Sequence, residues 1–347
     1  MIVIKLVKLF FMFPIWVVQL MTGSKSFLDN PLMGSQRLNR LGLHKKRVQL
    51  AGAICAWRRR RLAKRVRSDW REAFDRDGFV AIHDFVAPDT FQALRRAILE
   101  YRGQAREMRQ GDAVTRRLAI DPAMLAAIPE LRRQLDRDDL KALFHYVASF
   151  RVTPLHYVQT IVTHDAEVDV DPQEALHADA FHSSLKAWLF LNPVAPDEAP
   201  FTYVRGSHRL TPERLDWEYR RSLIAPGEMN RLTGRGSPRV NQAELAAMGL
   251  GEGEPLAVPG NTLVVADTLG FHARGASVRP IERVEIWSYA RRNPFLPWLG
   301  GDLLSMRGLA ERRVGWVWAA RDRLANKIGQ PWQPVGLRSP TSDPSDI

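Results

Sequence analysis

Cysteine is almost absent from this sequence: the 347 residues hold one, Cys55. That excludes a disulfide framework within the chain and any zinc site built on several thiolates, and a reducing compartment fits. Acid is missing from one stretch altogether. Residues 37–67 hold twelve Lys and Arg and no Asp or Glu. Residues 1–36 carry a further +2, so of the net +12 the body, 68–347, keeps −2. The pI of 10.2 therefore describes an N-terminal arm, and it does not mark the whole chain as a nucleic-acid binder. Internal repeats and low-complexity tracts are lacking too. What is present is 45% apolar and 25% charged residues, enough for a sizeable core and too apolar for wholesale disorder.

The arm, 1–67, falls into two parts. Residues 2–21, IVIKLVKLFFMFPIWVVQLM, are mostly apolar and long enough to span a bilayer, but Lys5, Lys8, Pro14 and Gln19 interrupt them. Three readings stand: a membrane anchor or interfacial helix, a stretch packed on the domain or translated from an over-early start, and a cleaved export signal. The following segment mixes bases with apolar residues at helical spacing, and Leu50, Ile54, Trp57 and Leu62 share a face. Such a helix suits an anionic membrane surface, at about 1 kcal/mol per base near the lipid. The alternative is a solvated, partly flexible linker. Nucleic acid lacks a motif here and is disfavoured.

After Trp70 the pattern is that of a mixed globular domain. Helices are predicted at Asp69–Arg76 (ended by Gly78), Pro88–Tyr101 and Pro129–Ser149, the last with a buried stripe of Leu131, Leu135, Leu140, Leu143 and Phe144. Strands are predicted at Phe79–Ile82, Leu155–Thr163, Ala175–Phe181, Lys186–Asn192, Phe201–Val204, Pro255–Val258, Thr262–Ala266 and Arg283–Arg291. Two helical inserts, Pro212–Leu223 and Gln242–Met248, interrupt them. The order predicts a mainly β fold with flanking helices, a cupin-like double-sheet jelly roll over 68–300. Residues 301–347 add a helix at Leu309–Lys327 and a loose tail from Ser339.

Among nine histidines, one begins an H-x-D: His177-Ala178-Asp179. If Ala175–Phe181 is extended, both side chains point to one face, inside the barrel. By itself the pair also fits a satisfied core contact. His272 is the best third ligand, after the strand Thr262–Ala266 and a short loop. Two imidazoles and one carboxylate on one octahedral face are the triad of non-haem Fe(II) oxygenases, and they leave three positions open. Eleven residues on lies Arg283, whose planar fork suits the far carboxylate of a dicarboxylate co-substrate. Arg274 and Arg279 compete for that role. His182 and Lys186 read as wall residues.

The order H-x-D, then Lys186-Ala187-Trp188-Leu189-Phe190-Leu191, then Phe201…Gly206-Ser207-His208-Arg209, then Pro259-Gly260-Asn261…His272 and Arg283, resembles the phytanoyl-CoA dioxygenase family. So does the opening Phe74-Asp75-Arg76-Asp77-Gly78-Phe79-Val80. The resemblance spans roughly residues 70–292. It implies a double-stranded β-helix that uses Fe(II), 2-oxoglutarate and O2. Residue by residue, it implies iron ligation by His177, Asp179 and His272, with Arg283 on the distal carboxylate of 2-oxoglutarate; Ser277 is a further candidate contact for the co-substrate. Ala199 before Pro200-Phe201, Arg205 before Gly-Ser-His, and Leu176 before the first ligand depart from the family pattern and put subfamily and substrate in doubt. The expected activity is hydroxylation of an unactivated C–H in a small-molecule or lipid-like substrate, and the retained Asp179 favours this over halogenation. Two alternatives stand beside it: a non-catalytic cupin-like module docked at a membrane through its basic arm, and zinc-dependent hydrolysis on the same three residues. The expected location is cytoplasmic, at or near the inner face of a membrane.

Overall fold

The computed structural model describes residues 2–111, 113–163, 172–227, 230–278 and 280–343. Eleven strands are described: β1 Phe79–Ile82, β2 Gly103–Gln110, β3 Ala113–Ala119, β4 Leu155–Thr163, β5 Leu185–Phe190, β6 Phe201–Tyr203, β7 Glu254–Leu256, β8 Thr262–Asp267, β9 His272–Arg274, β10 Ile281–Ala290 and β11 Gln333–Arg338. They make an antiparallel sheet in the order β1-β8-β5-β10-β4-β3-β2-β11 and a smaller one in the order β7-β6-β9. From β4 to β10 the chain passes back and forth between the two sheets, which is the winding of a jelly roll.

Period-two alternation divides the core. Along β10, Val284 and Ile286 join the outer core with Val158, Ala187, Leu189 and Val265. Helices cover that face through Trp70, Phe74, Phe91, Leu94, Ile98, Leu143 and Phe144. Trp287 points the other way and packs with Tyr157, Trp188 and Phe190 against Phe201, Tyr203 and Leu256 of the small sheet. The space between the two sheets therefore holds the aromatic residues, and the site opens there. The helix Ser68–Asp77 delivers the chain to β1 through Gly78, at φ +88°. A Cβ on that residue would sit 2.5 Å from His208 Nδ1, so both backbone and space require glycine.

The structure corrects several sequence expectations. Ala175–Phe181 is not a strand; its backbone makes only isolated bridges, His177 with His272 and with Arg239. Here the chain crosses between sheets, and Ala178 and Asp179 donate to Pro238 O and Thr268 O, not to a ladder partner. Pro129–Ser149 is two helices, Pro129–Leu135 and Asp138–Ala148, the second opening on Asp138 and Asp139, which favour a helix N-terminus. The β2–β3 hairpin was hidden by its charges. Buried Arg116 and Glu107 pair across it, which a polarity pattern cannot anticipate. The tail is tied down as far as it is described: Arg116 Nη1 donates to Ser339 O and Pro340 O at 3.2 Å, and Thr160 Oγ1 to Pro340 O.

The basic helix Leu43–Leu62 buries a different face from the one expected. Leu50 is exposed, whereas His44, Arg47, Val48, Ala51, Cys55, Arg58 and Leu62 are buried. Three of its bases are internal fasteners. Arg58 donates to Leu296 O and Ser149 Oγ, and Arg59 pairs with the fully buried Asp267 at 2.8 Å. Arg47 donates to Leu20 O, Thr22 O and Ser24 O over the Phe181 ring. The arm thus packs on the jelly roll. Among the described residues no helix is long and apolar enough to cross a membrane.

Burial also sets an acid limit on stability. His145, His156 and His208 are each pushed down to about 4, burial being the main cause. The unfolded chain protonates these rings first. Their contribution is therefore complete above the ordinary 6.5 and drains away as pH falls from 6.5 towards 4. For His156 alone the full shift is worth about 3 kcal/mol. The urea midpoint is expected to fall steadily between about pH 6.5 and 4; a flat profile over that window would show that these rings stay solvated.

Candidate metal and co-substrate site

Three of the singled-out side chains meet. Ligand atoms of His177, Asp179 and His272 all lie within 4.8 Å of one another. The meeting is built by backbone: His177 N donates to His272 O at 3.0 Å and His272 N to His177 O at 2.9 Å, so the two histidines form one antiparallel bridge. Asp179 N donates to Thr268 O at 2.9 Å, which anchors the carboxylate beside them. Each imidazole is also turned by its own chain. His177 Nδ1 lies 2.8 Å from Ala175 O and His272 Nδ1 3.0 Å from Gly270 O. A carbonyl can only accept, so both Nδ1 atoms carry the proton and both Nε2 lone pairs face Asp179 Oδ1, at 3.8 and 3.7 Å.

The electrostatics suit metal ligation. His177 is pushed down to about 3 by burial and then by His272. His272 is pushed down to about 4 by burial, against the pull of Asp179. Both rings are neutral near pH 7. Burial raises the Asp179 carboxyl, but Lys186 and the two imidazoles outweigh it and hold it well below the usual carboxylate range. Lys186 Nζ sits 2.7 Å from Asp179 Oδ2 and 3.4 Å from His272 Nε2. A cation thus already stands against this donor set, and two neutral imidazoles with one carboxylate are the donors a divalent transition metal takes. The residues fit such an ion.

The triad opens onto a cavity of about 480 Å³ between the sheets. Trp188, Phe201, Trp287 and Tyr289 supply its apolar wall, and Arg283 lines it as well. Arg283 is buried, with its Nε 3.0 Å from Glu285 Oε2 and an N–H given to Ala199 O. Arg274 also lines the cavity, while Arg279 lies outside the described residues. Ser277 is not among the lining residues; its hydroxyl accepts from Thr163 Oγ1 at 3.2 Å. His182 lines a different cavity, whereas Lys186 lines this one beside the triad. Sequence reasoning missed Lys25 and Arg239. Lys25 Nζ reaches from the arm to Asp179 O, and no motif marks either residue.

Residues 74–231 match the family model for phytanoyl-CoA dioxygenase (PhyH). The matched segment includes His177 and Asp179 and ends before His272 and Arg283. Among solved structures, the chain is similar to the non-heme alpha ketoglutarate dependent epimerase SnoN from nogalamycin biosynthesis, at 19% identity over 69% of this chain and 92% of that one, with a TM-score of 0.40. HygX from Streptomyces hygroscopicus, solved with nickel, 2-oxoglutarate and hygromycin B bound, is 16% identical over 65% of this chain and 87% of its own, with a TM-score of 0.40. AviO1 from Streptomyces viridochromogenes Tue57 is 19% identical over 65% and 94%, with a TM-score of 0.39. No curated protein matches the chain.

Proposed function

We propose, from the match of residues 74–231 to the phytanoyl-CoA dioxygenase family model, that this chain is an Fe(II)- and 2-oxoglutarate-dependent oxygenase. The observation that carries the reading is the convergence of His177, Asp179 and His272 within 4.8 Å, with both Nδ1 atoms tied back to carbonyls. In this reading the three side chains hold iron on one face. Bound there, iron with 2-oxoglutarate and O2 supplies an oxidant strong enough for an unactivated C–H.

The protein's own part is to bind, orient and shield. The buried guanidinium of Arg283 offers a fork to the far carboxylate of 2-oxoglutarate. The aromatic wall of Trp188, Phe201 and Trp287 keeps bulk water from the reacting centre. Asp179 fills the position that a halide-using relative would leave free, so hydroxylation of a small-molecule substrate is the outcome proposed. The apolar and basic arm motivates the finer suggestion of a lipid-like or envelope-associated substrate, with the protein in the cytoplasm at the membrane face.

The test is direct. Protein purified without oxygen is given Fe(II) and 2-oxoglutarate, then O2, and succinate is measured. Slow succinate release without a prime substrate is expected; no release together with no iron retention would sink the proposal.

A further inference from the structure

The cavity gathers charge of one sign. Lys25, Lys186, Arg239 and Arg291 line it, and the one acid among its described lining residues is Asp179. Lys186 is committed to that acid at 2.7 Å. Arg239 gives two N–H bonds to Ser237 O and Pro172 O and keeps a buried Nε without a partner among the described residues. Arg291 is exposed and makes no hydrogen bond or ion pair among the described residues. It continues the inward face Arg283, Glu285, Trp287, Tyr289 one step past the end of β10. Eight residues of chain, about 26 Å if fully extended, separate its backbone from that of Arg283, so the two arginines stand at well-separated positions along the cavity lining.

Lys25 comes from outside the matched family segment, and the fold holds it firmly. Arg47 pins the turn before it through Leu20 O, Thr22 O and Ser24 O. After it, Phe27 N and Leu28 N donate to Gly234 O at 3.0 and 3.2 Å. Its own carbonyl lies so close to Gly236 that a Cβ there would stand 2.1 Å away. The ammonium uses one N–H on Asp179 O and has two to spare. Lys25, Lys186, Arg239 and Arg291 share the lining of this one cavity, with Asp179 as the single acid among them. Cations crowded together and partly out of water cost free energy unless an anion joins them.

We propose that the substrate carries an acidic group, a carboxylate or a phosphate, which Lys25, Arg239 and Arg291 bind at the open side of the cavity, so that the N-terminal arm supplies a specificity-determining residue. This deepens the oxygenase reading and rests on it for the word substrate; the anion site itself is tested separately.

Full-length protein is kept anaerobic and loaded with Fe(II) and saturating 2-oxoglutarate, which occupies Arg283. Hexyl phosphate, hexanoate and hexanol are then titrated by calorimetry. At least one anion is expected to bind more tightly than hexanol, and the phosphate and hexanoate arms identify the acid. The double variant K25M/R291M is expected to lose that preference by about tenfold or more, as for charge-assisted bonds, while K25R and R291K retain it. Thermal melting checks the fold; if K25M fails to fold, R291M, altered at an exposed side chain, carries the comparison. Three results would overturn the proposal: no preference for either anion over hexanol, equal affinity in the double variant, or loss of 2-oxoglutarate affinity in step with loss of the anion. Failure of the oxygenase reading looks different. The wild-type protein then retains neither iron nor 2-oxoglutarate, and the anion titrations are scored on it regardless.

Discussion

Asp179→Ala is expected to strip the protein of iron and to cut succinate release at least about a hundredfold. Losing a hydrogen-bond partner of a metal ligand already costs about 10–100-fold, and this change removes a ligand. The surroundings enlarge the effect. Lys186 Nζ lies 2.7 Å from that carboxylate, and Lys25 donates to the carbonyl of the same residue. Without Asp179, an incoming dication meets two imidazoles and a cluster of unbalanced positive charge. Asp179→Asn keeps the shape and separates charge from bulk, and it is expected to fall nearly as far. The measurements are iron per chain after anaerobic desalting and the initial rate of succinate formation. An alanine variant that holds iron as the parent does would remove Asp179 from the ligand set.

Arg283→Ala is the second large effect, and it has two components. Glu285 is fully buried and lies 3.0 Å from Arg283 Nε, with Gln159 donating to its other oxygen. Burial raises the Glu285 carboxyl and Arg283 opposes the rise. Deleting the guanidinium leaves a buried acid without its cation, a loss of about 3–5 kcal/mol of stability. A charged fork for 2-oxoglutarate goes with it. Arg283→Lys separates the two, because it keeps the charge for Glu285 and lacks the planar pair of donors. Calorimetry on the lysine variant is expected to show 2-oxoglutarate affinity reduced about tenfold or more with iron retained. Unchanged affinity would move the co-substrate clamp elsewhere, Arg274 of β9 being another arginine that lines the cavity.

Much of the architecture was legible because strand signals are local. β1 and β4 begin and end where alternation and turn residues place them, and β10 starts two residues earlier than expected. The histidine-aspartate pair was legible as a spacing, and Thr262–Ala266 followed by a short loop placed His272 within reach. The reason the pair converges was not legible. Ala175–Phe181 forms no ladder, and single bridges to His272 and Arg239 orient it instead. Such bridges leave no periodic trace. The arm was opaque for a related reason. A run of arginines reads as a solvated or lipid-facing surface, yet Arg47, Arg58 and Arg59 bind backbone carbonyls and a buried aspartate. Composition records that a residue is charged and leaves open whether its partner is water, phosphate or a main-chain oxygen.

The grip of Arg47 on the turn before Lys25 bears on how the gene can be shortened for expression. A cut placed after residue 24, the obvious way to discard the greasy first helix, deletes the oxygens of Leu20, Thr22 and Ser24 that receive this guanidinium. The side chain would be stranded against Phe181 and Phe295, and an orphaned charge in such a place unfolds proteins. A cut that ends before Trp16 spares those oxygens and also the Trp16 O that holds Asn30, so recombinant yield and an intact pocket pull towards the same boundary.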